Sequence, residues 1–262
     1  QSRLMSPSRT VSVLRNRAAM AEELRRLLPK LEGLHKARPL PFGVADIDRC
    51  LPQGGLPGAA LHEIVPEGGS ASAAFGFMVA LLARMARSHP IVLVLPNYRL
   101  RHYGRPYGHG IRALGLDPGR LILAGTTHRK QTLWALEEAL RARAVAAVAG
   151  AVDTLDLKSS QRLQLAATDA GVPLLLLRPA DILEASAAAT RWRVAPAPAV
   201  RDRFGLIAQA RWRLMLERCR NGRAGEWIVE YDHVTHRFSL AAALADPAHA
   251  GGAGETSFQR AG

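Results

Sequence analysis

Residues 61–82, LHEIVPEGGSASAAFGFMVALL, run an apolar strand through a Gly/Ser loop into an apolar helix, the outline of a phosphate-binding loop. A working loop of the form G-x-x-x-x-G-K-[ST] cradles phosphate with backbone N–H groups, neutralises it with the Lys and holds Mg²⁺ through the hydroxyl. Aligned by the incoming strand, Pro66 stands at the first Gly, Ala71 at the second, Ser72 at the Lys and Ala73 at the hydroxyl. Gly68, Gly69 and Ser70 still offer backbone donors at a helix N-terminus, which favours anions. Glu67 opposes this with a negative charge, and no Lys offsets a triphosphate. The loop reads as a vestige kept for its turn. ATP binding is disfavoured, and no cofactor is expected.

A second set of residues pairs cations with aromatics. Arg191, Arg193, Arg201, Arg203, Arg211 and Arg213 interleave with Trp192 and Trp212, a combination suited to phosphate neutralisation and base stacking. The same alternation fits an amphipathic strand pair with Arg outward and Trp inward, so these residues are candidates for DNA contact with a structural alternative left open. Weaker sets carry less. His233 and His236 lack the helical spacing of a zinc site, and Cys50 and Cys219 are too few for a disulfide framework, so no metal site is expected.

These residues need elements to position them. IVLVL at 91–95, LILAG at 121–125, VAAVAG at 145–150 and LLLLR at 174–178 are continuous apolar runs, as expected of strands buried on both faces of a parallel sheet. Helical patterns lie between them at about 129–143 and 158–170, while PNYRLRHYGRPYGHG after the first run reads as a polar loop. The alternation predicts an α/β fold, a mainly parallel sheet flanked by helices. From about 190 the pattern changes to period two, with Asn221-Gly222 as a turn, predicting antiparallel C-terminal strands at the sheet edge. At the other end, Leu24, Leu27, Leu28, Leu31 and Leu34 recur at helical spacing. They predict an N-terminal helical extension, with Leu24, Leu27, Leu28 and Leu31 as a candidate partner-binding face. The division is a basic extension over 1–40, a core over 41–240 and a flexible small-residue tail over 241–262.

Charge is concentrated at two places. Of a net +13, residues 1–40 hold nine Lys/Arg against three Glu and residues 190–223 nine Arg against two acids, a distribution suited to a polyanion or an acidic protein partner. No charge-free run of about 18 apolar residues is present to span a membrane, and the basic N-terminus lacks a secretory pattern, so a cytoplasmic location is expected.

The segments LPQGGLPGAALHEI, AAFGFMVALLAR, LWALEEALR, LQLAATDAGVPLLLLRP, AAATRWRV and RWRLMLERCRNGRAGEWIVEYDHVTHRFSL together resemble the ImuA family, RecA-like accessory proteins of SOS-induced translesion DNA synthesis. The resemblance covers about residues 41–245. It implies a RecA-like core working with the catalytically inert Y-family protein ImuB and an error-prone C-family DNA polymerase, with RecA itself as a further candidate partner. A RecA-like ATPase also needs a Walker B carboxylate and an acid to orient the attacking water. The first position falls near Gly150, with Asp153 three residues on, and the second at Pro96 and Asn97. The loop that would hold DNA in a RecA core, here PADILEASAAA, is short and net negative. The expectation is an adaptor without catalysis, with a nucleotide-binding RecA-like ATPase or a DNA-binding regulator of recombination as the alternative.

Overall fold

The computed structural model describes residues 38–85, 89–182, 184–199, 204 and 209–241. Leu24, Leu27, Leu28, Leu31, Arg201, Arg203 and the tail from residue 242 lie outside them. The strands are β1 (Leu61–Pro66), β2 (Ile91–Pro96), β3 (Leu121–Thr126), β4 (Ala147–Ala151), β5 (Leu174–Leu177), β6 (Thr190–Pro196), β7 (Ala210–Cys219), β8 (Gly225–Asp232) and β9 (Arg237–Leu240). They form one nine-stranded sheet in the order β3-β2-β4-β5-β1-β6-β7-β8-β9. The pairings from β3 to β6 are parallel, and those from β6 to β9 antiparallel. The protein is thus a mixed α/β fold, compatible with the RecA-like architecture.

The helices are α1 (Ala45–Asp48), α2 (Ala71–Met85), α3 (Asn97–Tyr103), α4 (Gly108–Ala113), α5 (Arg129–Arg141) and α6 (Leu157–Ala170). Burial of β1, β2, β4 and β5 on both faces explains their uninterrupted apolar runs. On one face Phe77, Met78 and Leu81 of α2 pack with Ile64, Leu93 and Leu175. On the other, Leu136 and Leu140 of α5 and Leu163 of α6 pack with Val92, Val148 and Leu174. Caps set the starts of the second pair: the His128 ring accepts from Gln131 N at 3.2 Å and the Asp156 carboxylate from Ser159 N at 2.8 Å.

Two expectations change. The segment after β2 is not a loop but two short helices, α3 and α4; Leu100 and Ile111 give it apolar footholds on the core that its polar composition hides. β6 pairs parallel with β1 and antiparallel with β7, so the switch in direction comes one strand later than expected. Period-two patterning reports which faces are buried and carries no information on strand direction.

Candidate functional site

The Gly/Ser loop occupies residues Glu67 to Ser70, between the end of β1 and the start of α2. Gly68 takes a left-handed φ of +54° that favours glycine. Two of the loop's backbone N–H groups and its one acidic side chain are engaged within the chain. Glu67 N donates to Val194 O at 2.9 Å, Ser70 N to Glu67 O at 3.1 Å, and the Glu67 carboxylate pairs with Arg213 of β7. Ser72, at the Lys position, is exposed and Ala73 is partly buried.

The strand ends beside the loop are occupied in the same way. At Gly150 a Cβ would lie 2.9 Å from both Leu136 Cδ2 and Val94 O, so an acidic side chain there requires its neighbours to move. Asp153, the nearest carboxylate downstream, accepts from the Tyr98 hydroxyl and the Arg99 guanidinium of α3. Burial alone would raise its pKa, but these hydrogen bonds outweigh it and hold the group below its ordinary value. Asn97 lies against Gly125 of β3. A carboxylate poised for Mg²⁺ would need free oxygens, and Asp153 has both engaged.

Next to the loop lies a cleft of about 660 Å³. Phe75 and Val79 of α2, Leu95 of β2, Ile111 and Leu114 at α4, and Leu177 of β5 line it, with Arg99, Tyr103, Arg105 and Tyr107 among its remaining walls. Tyr103 and Tyr107 are 65% and 72% exposed. Hydrocarbon side chains dominate the place beside the loop.

The tryptophans of the candidate DNA stripe are buried, which corrects the stacking role expected of them. Trp192 and Trp212 are 0% and 5% exposed and sit in an aromatic cluster with Phe42, Phe77, Tyr231 and Phe238. Strand alternation sends the indoles into the core and the arginines to the opposite face. There Arg191 pairs with Glu63 at 2.8 Å, Arg193 with Glu217, Arg211 with Glu230 directly across the strand pair, and Arg213 with Glu67 and Glu226. Each described arginine of the stripe is matched by a carboxylate.

Two buried polar features went unread in the sequence. Glu63 of β1 is fully buried beside Arg178, which is 2% exposed; Arg178 donates to Val152 O at 2.8 Å and pairs with Glu184 at 2.9 Å. Its Nε faces Glu63 Oε1 at 3.3 Å, off hydrogen-bond geometry. Burial lowers the Arg178 pKa, and Glu63 and Glu184 counter this. His62, also fully buried, accepts from Thr190 Oγ1 and donates to Pro57 O, both at 2.8 Å, in its neutral form; burial pushes its pKa down to about 4. A His-Glu pair inside an otherwise apolar strand, and an Arg directly after LLLL, were the available signals.

Among the described residues no cluster of His, Cys, Asp or Glu is arranged to hold a metal ion, and no helix is long and apolar enough to cross a membrane. No family model matches the chain. The chain is 36% identical over 227 residues to Protein ImuA of Caulobacter vibrioides strain NA1000 / CB15N, an alignment covering 79% of this chain and 90% of that relative. The same figures hold for Protein ImuA of C. vibrioides strain ATCC 19089 / CIP 103742 / CB 15. With the fold compatible and the likeness extending over most of both chains, the protein belongs to the ImuA family.

Proposed function

We propose that the chain is a non-hydrolysing RecA-like adaptor in DNA-damage-induced mutagenic translesion synthesis, acting with an ImuB-type inactive Y-family protein and an error-prone C-family polymerase, with RecA as a further partner. Support for the pathway comes from family membership. Support for the absence of catalysis comes from one observation: where hydrolysis needs charged groups free to act, this chain has groups engaged with itself. Ser72 and Ala73 replace the Lys and hydroxyl, Glu67 is tied to Arg213, and Asp153 is tied to Tyr98 and Arg99. Phosphoryl transfer depends on positioned cations and carboxylates around the phosphate. On this reading the protein takes no nucleotide cofactor, and its partners place it in the cytoplasm.

The test has two arms. Calorimetric titration with ATP and Mg²⁺ is expected to give no binding heat and no phosphate release. In cells lacking the gene, damage-induced mutation frequency is expected to fall to background and to be restored equally by the wild type and by Ser72→Ala. Nucleotide turnover, or undiminished mutagenesis in the deletion, would remove the adaptor reading.

A further inference from the structure

Cys50 and Cys219, the chain's two cysteines, stand far apart in sequence and side by side in the fold. Cys50 follows α1, in the segment that leads into β1, and Cys219 ends β7 at the turn into β8. Two backbone hydrogen bonds tie them to that turn: Arg223 N donates to Cys50 O at 2.9 Å and Gly222 N to Cys219 O at 3.4 Å. Gly222 shows how close the two come. A Cβ on it would lie less than 3.0 Å from both Cys219 Sγ and the Cys50 carbonyl oxygen, so sulfur and carbonyl border one small space. Backbone conformation does not call for glycine there, since the left-handed residue of the Asn-Gly turn is Asn221, with φ of +60°, and Gly222 has no positive φ. The missing side chain leaves room where the cysteines meet.

Both thiols are half-buried against the main apolar cluster. The Cys219 thiol reaches Arg220 O only at 4.0 Å, a weak contact that leaves the sulfur able to turn. Burial, and then the neighbouring Cys50, raise the Cys219 pKa, which slows thiolate chemistry and leaves its equilibrium open. We propose that Cys50 and Cys219 form a reversible dithiol–disulfide site, oxidised by low-molecular-weight disulfides, that staples the segment ahead of β1 to the β7–β8 turn. The exchange runs in two steps. One cysteine, as thiolate, attacks a sulfur of the small disulfide, forming a mixed disulfide and releasing one small thiolate. The second cysteine attacks the protein sulfur of that mixed disulfide, closes the Cys50–Cys219 bond and releases the other small thiolate. The protein gives up two electrons and two protons, and the small disulfide takes both and leaves as two thiols. A reducing compartment keeps the pair as thiols, so the bond answers to oxidising conditions. Its effect is mechanical. The segment is anchored by Phe42 among the core aromatics and by the Arg223–Cys50 hydrogen bond, and a covalent tie across so long a loop removes unfolded-state entropy. The site is independent of the adaptor reading.

The test incubates the folded full chain with oxidised glutathione until exchange is complete, removes the reagent, alkylates free thiols and maps peptides by mass spectrometry. The expected product is a monomer in which the Cys50 and Cys219 peptides are linked and neither thiol is alkylated. Its thermal midpoint is expected to rise by at least about 5 °C, and dithiothreitol to reverse both changes. Cys50→Ser and Cys219→Ser are each expected to carry at most the mixed glutathione disulfide and to show no such rise. The linked peptide is read in the wild type, so the test stays decisive even if a variant unfolds. Thiols that remain alkylatable, glutathione left on both cysteines without a link between them, links formed only between chains, or a link that leaves the midpoint where it was would each overturn the proposal.

Discussion

Two stretches of this chain mix arginine with aromatic residues, and the fold treats them oppositely. In β6 and β7 the pattern Arg-Trp-Arg occurs twice, and the pleat buries both indoles while setting the arginines against carboxylates on neighbouring strands. In the segment over α3 and α4, Tyr98, Tyr103 and Tyr107 stay exposed, while Arg99 and Arg112 meet Asp153 and Asp117. Composition alone would assign both to the same task. Strand geometry turns the first into core plus an internal ion lattice, and short helices on the rim turn the second into a surface. A basic aromatic stretch is therefore a binding feature only where the local backbone leaves its rings outside.

The contrast can be broken most forcefully in the strand half. Trp192→Ala is expected to cost about 3–5 kcal/mol, the range for deleting a large core aromatic, read as a lower denaturant midpoint, whereas Tyr107→Ala is expected to leave the midpoint within about 0.5 kcal/mol. Equal effects would erase the distinction. Arg178→Met tests the buried charges beside the same strands. Leaving Glu63 without this partner is expected to cost about 3 kcal/mol or slightly more, and Glu63→Leu combined with Arg178→Met to recover part of the loss, measured by the same unfolding curves.

A smaller, pH-dependent effect follows from His62 in β1. Its folded pKa of about 4 lies below the ordinary 6.5, so as pH falls below 6.5 the unfolded chain takes up the proton first. Stability is present above that point and is lost progressively towards pH 4, by up to about 3 kcal/mol if this group acts alone. Thermal melts of the wild type are expected to show the decline in that window, and His62→Gln to flatten it. The smallest expected effect is at Arg213, whose ion pairs are exposed: Arg213→Ala is expected to leave the denaturant midpoint nearly unchanged. A matching binding measurement sharpens the comparison, since an arginine already paired to Glu67 and Glu226 is expected to leave oligonucleotide affinity unaltered. A several-fold loss would return the strand pair to the list of nucleic-acid surfaces.

The strand-loop-helix frame was legible because its signals are local. Continuous apolar runs place β2 to β5, the spacing of Leu136 and Leu140 places α5, and the loop between Pro66 and Ala71 shows its missing Lys directly. The cleft was not legible. Its walls come from α2, β2, α4 and β5, residues brought together by parallel crossovers, and no sequence period marks a gap between elements. The segment from Asn97 to Arg112 read as a polar loop because its apolar contacts are single side chains, Leu100 and Ile111, without a repeating face.

The amino-acid sequence by itself determined the α/β class, the replacement of the phosphate loop's Lys and hydroxyl positions by Ser72 and Ala73 and the interleaving of charge with aromatics, since each depends on residue type and short spacing. Only the tertiary structure decided which aromatics meet solvent, which arginines are already paired and what stands beside the old loop. Those outcomes depend on register between strands far apart in the chain. Glu63 meets Arg191 across β1 and β6, and Glu67 meets Arg213 over a separation of 146 residues. Pairing at such distance is fixed by how the sheet assembles.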